Sequence, residues 1–459
     1  EVIDVGNGWY RIILKITDSR QQNYFVVNPH NGGTVTNNHY RTDITGDGSS
    51  GILVWGAMQT DNRLNAGDYY PNLTGTLSGA PRYSHDPETL VPTGLYLEEQ
   101  ILNKAPHTET FSGGYTSLNS TFTTDNNVTN PDGSVGAKVL TMNSTTAGGG
   151  DFAGFKTGTS AYNLQTASVF VKKKTARYVV IGHGGLSKYQ QTLFDFDTES
   201  IITAHSQHSG SGLNLVGRGV TKYPNGWYRI YCITSGATGN NGTGFQIVKD
   251  PARSKVGISE AYDGTEDVYI WGFNITDKPF ISSYIPNFSG STVTKVADTY
   301  TSTATTVLDR DGGNKESFNN IGSGTAYIDH ICNGLPSGGS AHGGQLSDGN
   351  SSVMFARYAA SGLENYIFNS GSFISHFNTG LPLGEHYKAV TVYKTDDMKL
   401  VVNGSVEGTD TSGTLPTTFN ALSIGKDNTN QARQLNGTIN RLTFWKSRLP
   451  DASLTNITT

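Results

Sequence analysis

The sequence repeats itself at long range, and the repeat limits how the chain can be divided. Gly6–Arg20 reads GNGWYRIILKITDSR and Thr221–Gly236 reads TKYPNGWYRIYCITSG, so Trp9 and Trp227 stand 218 residues apart. Gly48–Asn62 (GSSGILVWGAMQTDN) answers Gly264–Lys278 (GTEDVYIWGFNITDK), with Trp55 and Trp271 offset by 216. Asp68–Gly75 (DYYPNLTG) answers Ser283–Gly290 (SYIPNFSG), with Pro71 and Pro286 offset by 215. Three blocks in the same order, drifting by so little, mark a duplicated module. The second copy has a long upstream half, about residues 106–220, that the first lacks. The first module is therefore expected to be incomplete. Either earlier sequence is missing, which the lack of an initiator Met at Glu1 favours, or the other half comes from elsewhere.

Within the blocks, apolar residues alternate. In WYRIILKI, Tyr10, Ile12, Leu14 and Ile16 share one face, and Trp9, Arg11 and Lys15 the other. That is the period of a half-buried strand. SVFVKKKTARYVVIG (Ser168–Gly182) reads as two strands around a basic turn. KAVTVYKTDDMKLVVNGSV (Lys388–Val406) reads as a hairpin turning at Asp396–Asp397 and again at Asn403–Gly404. No stretch keeps a helical period with caps, and 56 glycines with only 15% charged residues suit short strands and turns. The fold class expected is all-β, built of tandem β-sandwich (jelly-roll) modules, the first one incomplete. The boundaries drawn are a partial sandwich at 1–81, an extended connector at 82–105, a sandwich with its linker at 106–302, and a jelly roll at 303–459. In the connector, Pro87, Pro92 and Gly94 are expected to break regular structure.

Composition excludes some functions. A net charge of −5, with no basic run longer than VKKKTAR (Val171–Arg177), leaves no electrostatic footprint for nucleic acid. No segment reaches the roughly 18 apolar residues of a membrane helix. Two cysteines are too few for a disulfide framework. Cys232 takes the place of Leu14 in the first copy, which marks a buried thiol and fits assembly in a reducing cytoplasm.

The blocks resemble a known family. NPDGSVGAKVL (Asn130–Leu140), ASVFVKKK, LFDFDTESI, YPNGWYRI, DVYIWGFNI and SSYIPNFSGSTVTKVAD follow one another as in the carbohydrate-binding-like β-sandwich modules of bacteriophage tail fibre and virion structural proteins. GAPRYSHDPETLVPTGLYLEEQILN resembles the linker placed before the next sandwich in those proteins. The last module resembles a laminin-G/concanavalin-like jelly roll through KLVVNGSVEG (Lys399–Gly408), ALSIGKDN (Ala421–Asn428) and GTINRLTFWKSRLPDASLTNIT (Gly437–Thr458). The resemblance implies a virion fibre or tail component at the particle surface, assembled in the host cytoplasm. It further implies a homotrimer that contacts other virion proteins and adheres to host-surface glycans. A capsid decoration or head fibre, and the non-catalytic part of a polysaccharide depolymerase tailspike, are the alternatives.

Candidate chemistry is sparse. Asp195, Asp197 and Glu199 would share a face if LFDFDTES stayed extended, as an acid–base pair or calcium ligands would require, but a strand end entering a turn is the preferred reading. The last module offers Glu364 alone in one run and Asp396–Asp397 in a turn, so no enzyme is expected. His205 and His208 lack partners at metal-ligand spacing. IGHGG and AHGG lack the Lys-Ser/Thr of a phosphate loop. By analogy with carbohydrate-binding sandwiches, a structural calcium would have Asp267 as a ligand; no other cofactor is called for. For glycan contact the candidates are Tyr358, Tyr366 and Trp445 in the last module, and Trp271, whose repeated context suits a core residue better.

Overall fold

Extended backbone dominates the protein. In the computed structural model the residues described are 2–6, 9–12 and, from 82 onward, all except 90, 114, 144–153, 159–163, 186–187, 204–206, 209–212, 237–241, 254–259, 299–300, 304–321, 348–351, 417–420, 428–431 and 446. Most of the module at 1–81, including Trp55 and its expected incompleteness, lies outside the described residues. Its first hairpin does not. Val2–Gly6 pairs with Trp9–Ile12 through Val2–Ile12, Ile3–Arg11 and Asp4–Tyr10. The same pairs recur 218 residues later as Val220–Ile230, Thr221–Arg229 and Lys222–Tyr228, where Asn214–Tyr223 meets Trp227–Ser235. The repeat in sequence is also a repeat in strand register.

The middle module is two antiparallel sheets packed face to face. One runs Asn214–Tyr223, Trp227–Ser235, Leu164–Lys173, Asp267–Thr276, Ile101–Asn103, Val293–Lys295, with the hairpin of Ser120–Thr129 and Val135–Met142 beside Asp267–Thr276. The other runs Ser200–Ile202, Lys188–Asp195, Tyr178–Gly185, Gly242–Val248, Gly154–Gly158, Tyr115–Leu118. Alternate residues meet between them, Val169 and Ile230 against Ile181, Phe194 and Phe245. The basic turn after Lys173 carries the chain from the first sheet to the second. On the outer face of the first sheet the repeated blocks converge: Trp227 and Trp271 are buried with Phe170, and Tyr284 lies 4.4 Å from Trp271 between ring centres. The indole N–H of Trp227 donates to the Thr129 carbonyl at 2.8 Å.

The C-terminal module is a second two-sheet sandwich. Its six-stranded sheet runs Thr301–Thr303, Ala421–Ile424, Ala341–Ser347, Ser352–Ala359, Gly362–Asn369, Ser372–Asn378. Its seven-stranded sheet runs Ser405–Asp410, Met398–Val402, His386–Lys394, Ser323–Gly334, Asn436–Trp445, Pro92–Leu97, Arg82–His85. The hairpins turn where expected, with Asp396, Asn403 and Gly404 at positive φ. Among the described residues one α-helix stands apart from the strands. Helix Asp451–Thr458 buries Leu454 on the outer face of the seven-stranded sheet, against Tyr327, Val390, Val392 and Val401.

Residues 82–105 are not an extended connector. Arg82–His85 and Pro92–Leu97 extend the C-terminal module's sheet, and Ile101–Asn103 joins the middle module's sheet. Pro92 opens its strand, the position where a missing N–H is tolerated. Gly94, at φ 104°, passes under the Ile439–Asn440 backbone, where a Cβ would come within 2.3 Å of the Ile439 carbonyl oxygen. Residues expected to break structure allow this strand to pair closely.

Between these strands Glu98 is fully buried. Its carboxylate receives Arg82 at 3.0 Å, Tyr96 at 2.8 Å, and the backbone N–H and hydroxyl of Ser283 at 2.6 Å each, with Lys295 at 3.5 Å. Asp298 completes the group by pairing with both Arg82 and Lys295. Burial alone would raise the Glu98 pKa, but Lys295, Arg82 and the Ser283 hydrogen bonds together pull it down to about 2. Next to it, Glu99 joins Lys278 of the middle module (3.1 Å) to Asn436 and Ser337 of the C-terminal one. Glu98→Ala leaves two buried cations with one anion, and should cost about 3–5 kcal/mol in equilibrium denaturation. A loss under about 1 kcal/mol would contradict the buried network.

Candidate functional site

The two outer faces of the C-terminal module differ. Helix Asp451–Thr458 covers the seven-stranded sheet, with Trp445, Leu449 and Ile457 packed around Leu454. The six-stranded sheet instead presents charged and aromatic side chains. Along Gly362–Asn369, Leu363 and Ile367 enter the core, so Glu364, Tyr366 and Phe368 point outward. Register then sets Arg357 opposite Glu364, His342 opposite Arg357, His376 opposite Tyr366, and Phe373 opposite Phe368.

Glu364 is buried and holds the group together. One oxygen takes Arg357 and the other His376 Nε2 at 2.5 Å. The His376 ring stacks on Phe373, 5.1 Å between centres and 14° between planes. Tyr366 stands edge-on to Phe373 at 5.3 Å and to His376 at 6.2 Å, with the Arg357 guanidinium 5.8 Å from its ring centre. Phe373 is 58% exposed and the His376 side chain 39%. Farther along the row, Arg433 bonds Asp427 at 3.0 Å, and His342 lies 3.9 Å from the same carboxylate. Burial raises the Tyr366 phenol pKa; Arg357 and Arg433 oppose that shift while Asp427 and Glu364 add to it. Tyr366 thus lies among alternating charges.

An aromatic ring offers an apolar plate to the C–H face of a sugar, and charged neighbours bond hydroxyls strongly. The two carboxylates are each committed to a cation, Glu364 to Arg357 and Asp427 to Arg433.

Of the residues picked out in the sequence for glycan contact, only Tyr366 stands on this face; Glu364, weighed there as a lone carboxylate, stands beside it. Tyr358 is fully buried, its hydroxyl 3.0 Å from His330 Nε2, and cannot stack on a ligand. Register slips between Val353 and Arg357, so that Phe355, Ala356 and Tyr358 all reach the core. Trp445 belongs to the opposite sheet and packs beside the terminal helix. Trp271 is 3% exposed, a core aromatic. Asp267 accepts from Thr141 at one oxygen (2.5 Å) and from the Lys174 ammonium at the other (2.7 Å). Among the described residues no group of three or more His, Cys, Asp or Glu could hold a metal. Strand Lys188–Asp195 ends where the preferred reading placed a turn, and Asp195, Asp197 and Glu199 pair with Arg177, Lys173 and Lys222. His205 lies outside the described residues. Cys232 and Cys332 are buried free thiols, pushed up to about 12 by burial. Arg357, Phe373, His376, His342, Asp427 and Arg433 were missed. The signal available was the two turns at 360–361 and 370–371, which fold ARYAASGLENYIFNSGSFISHF into three adjacent strands.

Residues 332–455, which contain this face, match the family model of the concanavalin A-like lectin/glucanases superfamily. The C-terminal module is concanavalin-like. No curated protein matches the chain. Among solved structures, a SAP-like pentraxin from Limulus polyphemus is 14% identical over 30% of this chain and 70% of its own, with a TM-score of 0.25. The CBM40 module of a Ruminococcus gnavus sialidase, bound to α2,3-sialyllactose, is 14% identical over 30% of this chain and 83% of its own (TM-score 0.26). Domains LG4-5 of the mouse laminin α1 chain are 10% identical over 68% of this chain and 88% of their own (TM-score 0.23). Scores this low decide nothing about a ligand.

Buried histidines set the pH response. Burial pushes His183 down to about 3, and His330 and His342 to about 4. A histidine with a depressed folded pKa gains a proton on unfolding. Its contribution is intact above the unfolded value of about 6.5 and is lost as pH falls toward the folded value. Melting temperature should be level from pH 8 to 7 and decline steadily below 6.5. A melting temperature unchanged down to pH 4.5 would contradict the neutral burial.

Proposed function

We propose that this chain is a glycan-binding protein of tandem β-sandwiches, and that its C-terminal module holds saccharide across the outer face of the six-stranded sheet. One observation carries the reading: exposed Phe373 and His376 and half-buried Tyr366 form an aromatic platform beside Arg357 and Glu364, on a sheet face that no helix covers among the described residues. The concanavalin-like match to residues 332–455 supports it. Binding rather than cleavage fits the carboxylates, since glycoside hydrolysis needs two of them about 5–9.5 Å apart and able to exchange protons, whereas Glu364 and Asp427 are each paired with arginine.

The wider role we propose rests on the resemblance of the repeated blocks. It is that of a bacteriophage fibre or tail component at the virion surface, homotrimeric, so that weak sites act together through effective concentration. A capsid decoration or head fibre is the alternative.

On a glycan array and then in titrations with the glycans retained, Phe373→Ala and Tyr366→Ala should each weaken binding about three- to tenfold, the loss of one stacked ring. Incubation should release no new reducing ends. Unchanged affinity in both variants would overturn the assignment of this face, and reducing ends above a heat-denatured control would overturn the non-catalytic reading.

A further inference from the structure

The seam between the sandwiches brings an amine, a carboxamide and a carboxylate together out of water. Lys278, which closes a repeated block of the middle module, is 8% exposed; Glu99 is 5% exposed and Asn436, which opens strand Asn436–Trp445, 0%. One oxygen of Glu99 serves both of the others. Lys278 Nζ stands 3.1 Å from Oε1, and Asn436 Nδ2 donates to the same Oε1 at 3.3 Å. The second oxygen accepts from the Ser337 N–H at 3.1 Å. The backbone N–H of Glu99 donates to Asn436 Oδ1 at 2.7 Å, which fixes the end of the amide that is oxygen.

Both partners are held from behind. The Thr166 hydroxyl donates to the Lys278 carbonyl at 2.6 Å, and Phe280, two residues on, rests against Gly334. Leu435, before Asn436, lies in the C-terminal core, and Gly437, after it, runs so close to the Ile331 carbonyl that a Cβ has no room. Moving either side chain far from the carboxylate means opening the seam.

An amine and a carboxamide can exchange to a secondary amide and ammonia, a reaction that is slow between free molecules. Three features of the seam favour it. The encounter is intramolecular. The carboxylate that accepts a proton from the amine also touches the nitrogen that must leave. The Glu99 N–H points at the carbonyl oxygen on which negative charge develops.

We propose that Lys278 and Asn436 form an isopeptide bond across the seam, with Glu99 carrying the protons. Glu99 takes one proton from the Lys278 ammonium, and the freed amine attacks Cγ of Asn436. Glu99 hands that proton to Nδ2 and takes a second from the attacking nitrogen. The Cγ–Nδ2 bond then breaks, its electron pair leaving with the nitrogen as ammonia, which carries off the second proton as ammonium. Glu99 ends as it began, and no oxidant or cofactor enters. The bond locks the two sandwiches together whatever ligand the protein binds.

Mass spectrometry of the full chain, denatured after prolonged incubation, tests this. The mass should lie about 17 Da below the sequence value, the loss of one ammonia, and digestion should yield a branched peptide joining Lys278 to Asn436. Lys278→Arg keeps a cation beside Glu99 but offers no attacking amine, and should restore the full mass. Glu99→Gln should cut the yield of branched peptide about tenfold or more; Lys278→Arg decides the matter if that variant fails to fold. The full sequence mass in the unaltered chain would overturn the proposal. So would the same deficit in Lys278→Arg, which marks ammonia lost by closure of Asn436 onto the Gly437 nitrogen. Undiminished branched peptide in Glu99→Gln would overturn the part given to Glu99.

Discussion

A carboxylate taken wholly out of water must be answered by charge and hydrogen bonds, and Glu98 is answered from both sandwiches at once. Arg82 comes from the hairpin added to the C-terminal module, while Ser283 and Lys295 come from the middle module. The rest of the seam follows from that anchoring. Leu97 enters the C-terminal core against Gly425, where an added Cβ would lie 2.1 Å from its Cδ1. Ile101, four residues on, packs with Phe280 and Ile285 of the middle module. Phe280 in turn rests on Gly334 of the C-terminal module, where a Cβ would meet it at 2.4 Å. Two glycines and two glutamates thus fix how one sandwich sits on the other. The candidate glycan face is presented at a set angle to the middle module rather than swinging on a tether.

The long-range repeat has a packing explanation. Its three blocks bring Trp227, Trp271 and Tyr284 into one cluster on the outer face of a sheet, with Phe170 between them. That face is closed by aromatic bulk, and in the C-terminal module the terminal helix closes another. The outer face of the six-stranded sheet is built otherwise. Its aromatics are held by ionic partners at their edges, so a hydrophobic plate stays exposed without collapsing onto a neighbour. Such a plate in a polar frame is what a sugar, with one apolar and one hydroxylated aspect, requires.

Much of the fold was legible because alternation and turn residues are local signals. The hairpin at Lys388–Val406 and the strands flanking the basic turn could be read directly. The strand at Pro92–Leu97 could not, since the partner that ties it to the C-terminal module lies more than three hundred residues away and proline and glycine disguise it. The candidate site was legible in residue type but not in facing. Tyr358 and Tyr366 look equivalent in sequence, yet the irregular register between Val353 and Arg357 turns the first inward, while regular alternation leaves the second outside. The ionic partners of the platform come from four strands and a loop, a grouping that only register reveals.

The account stands on where a saccharide meets the protein. Hydrogen–deuterium exchange of the full chain, with and without a glycan it binds, reads that directly. The account predicts added protection in peptides spanning Ser352–Asn378, with little change in peptides of the seven-stranded sheet. Protection confined to the seven-stranded sheet or the terminal helix, with Ser352–Asn378 unaffected, would contradict it.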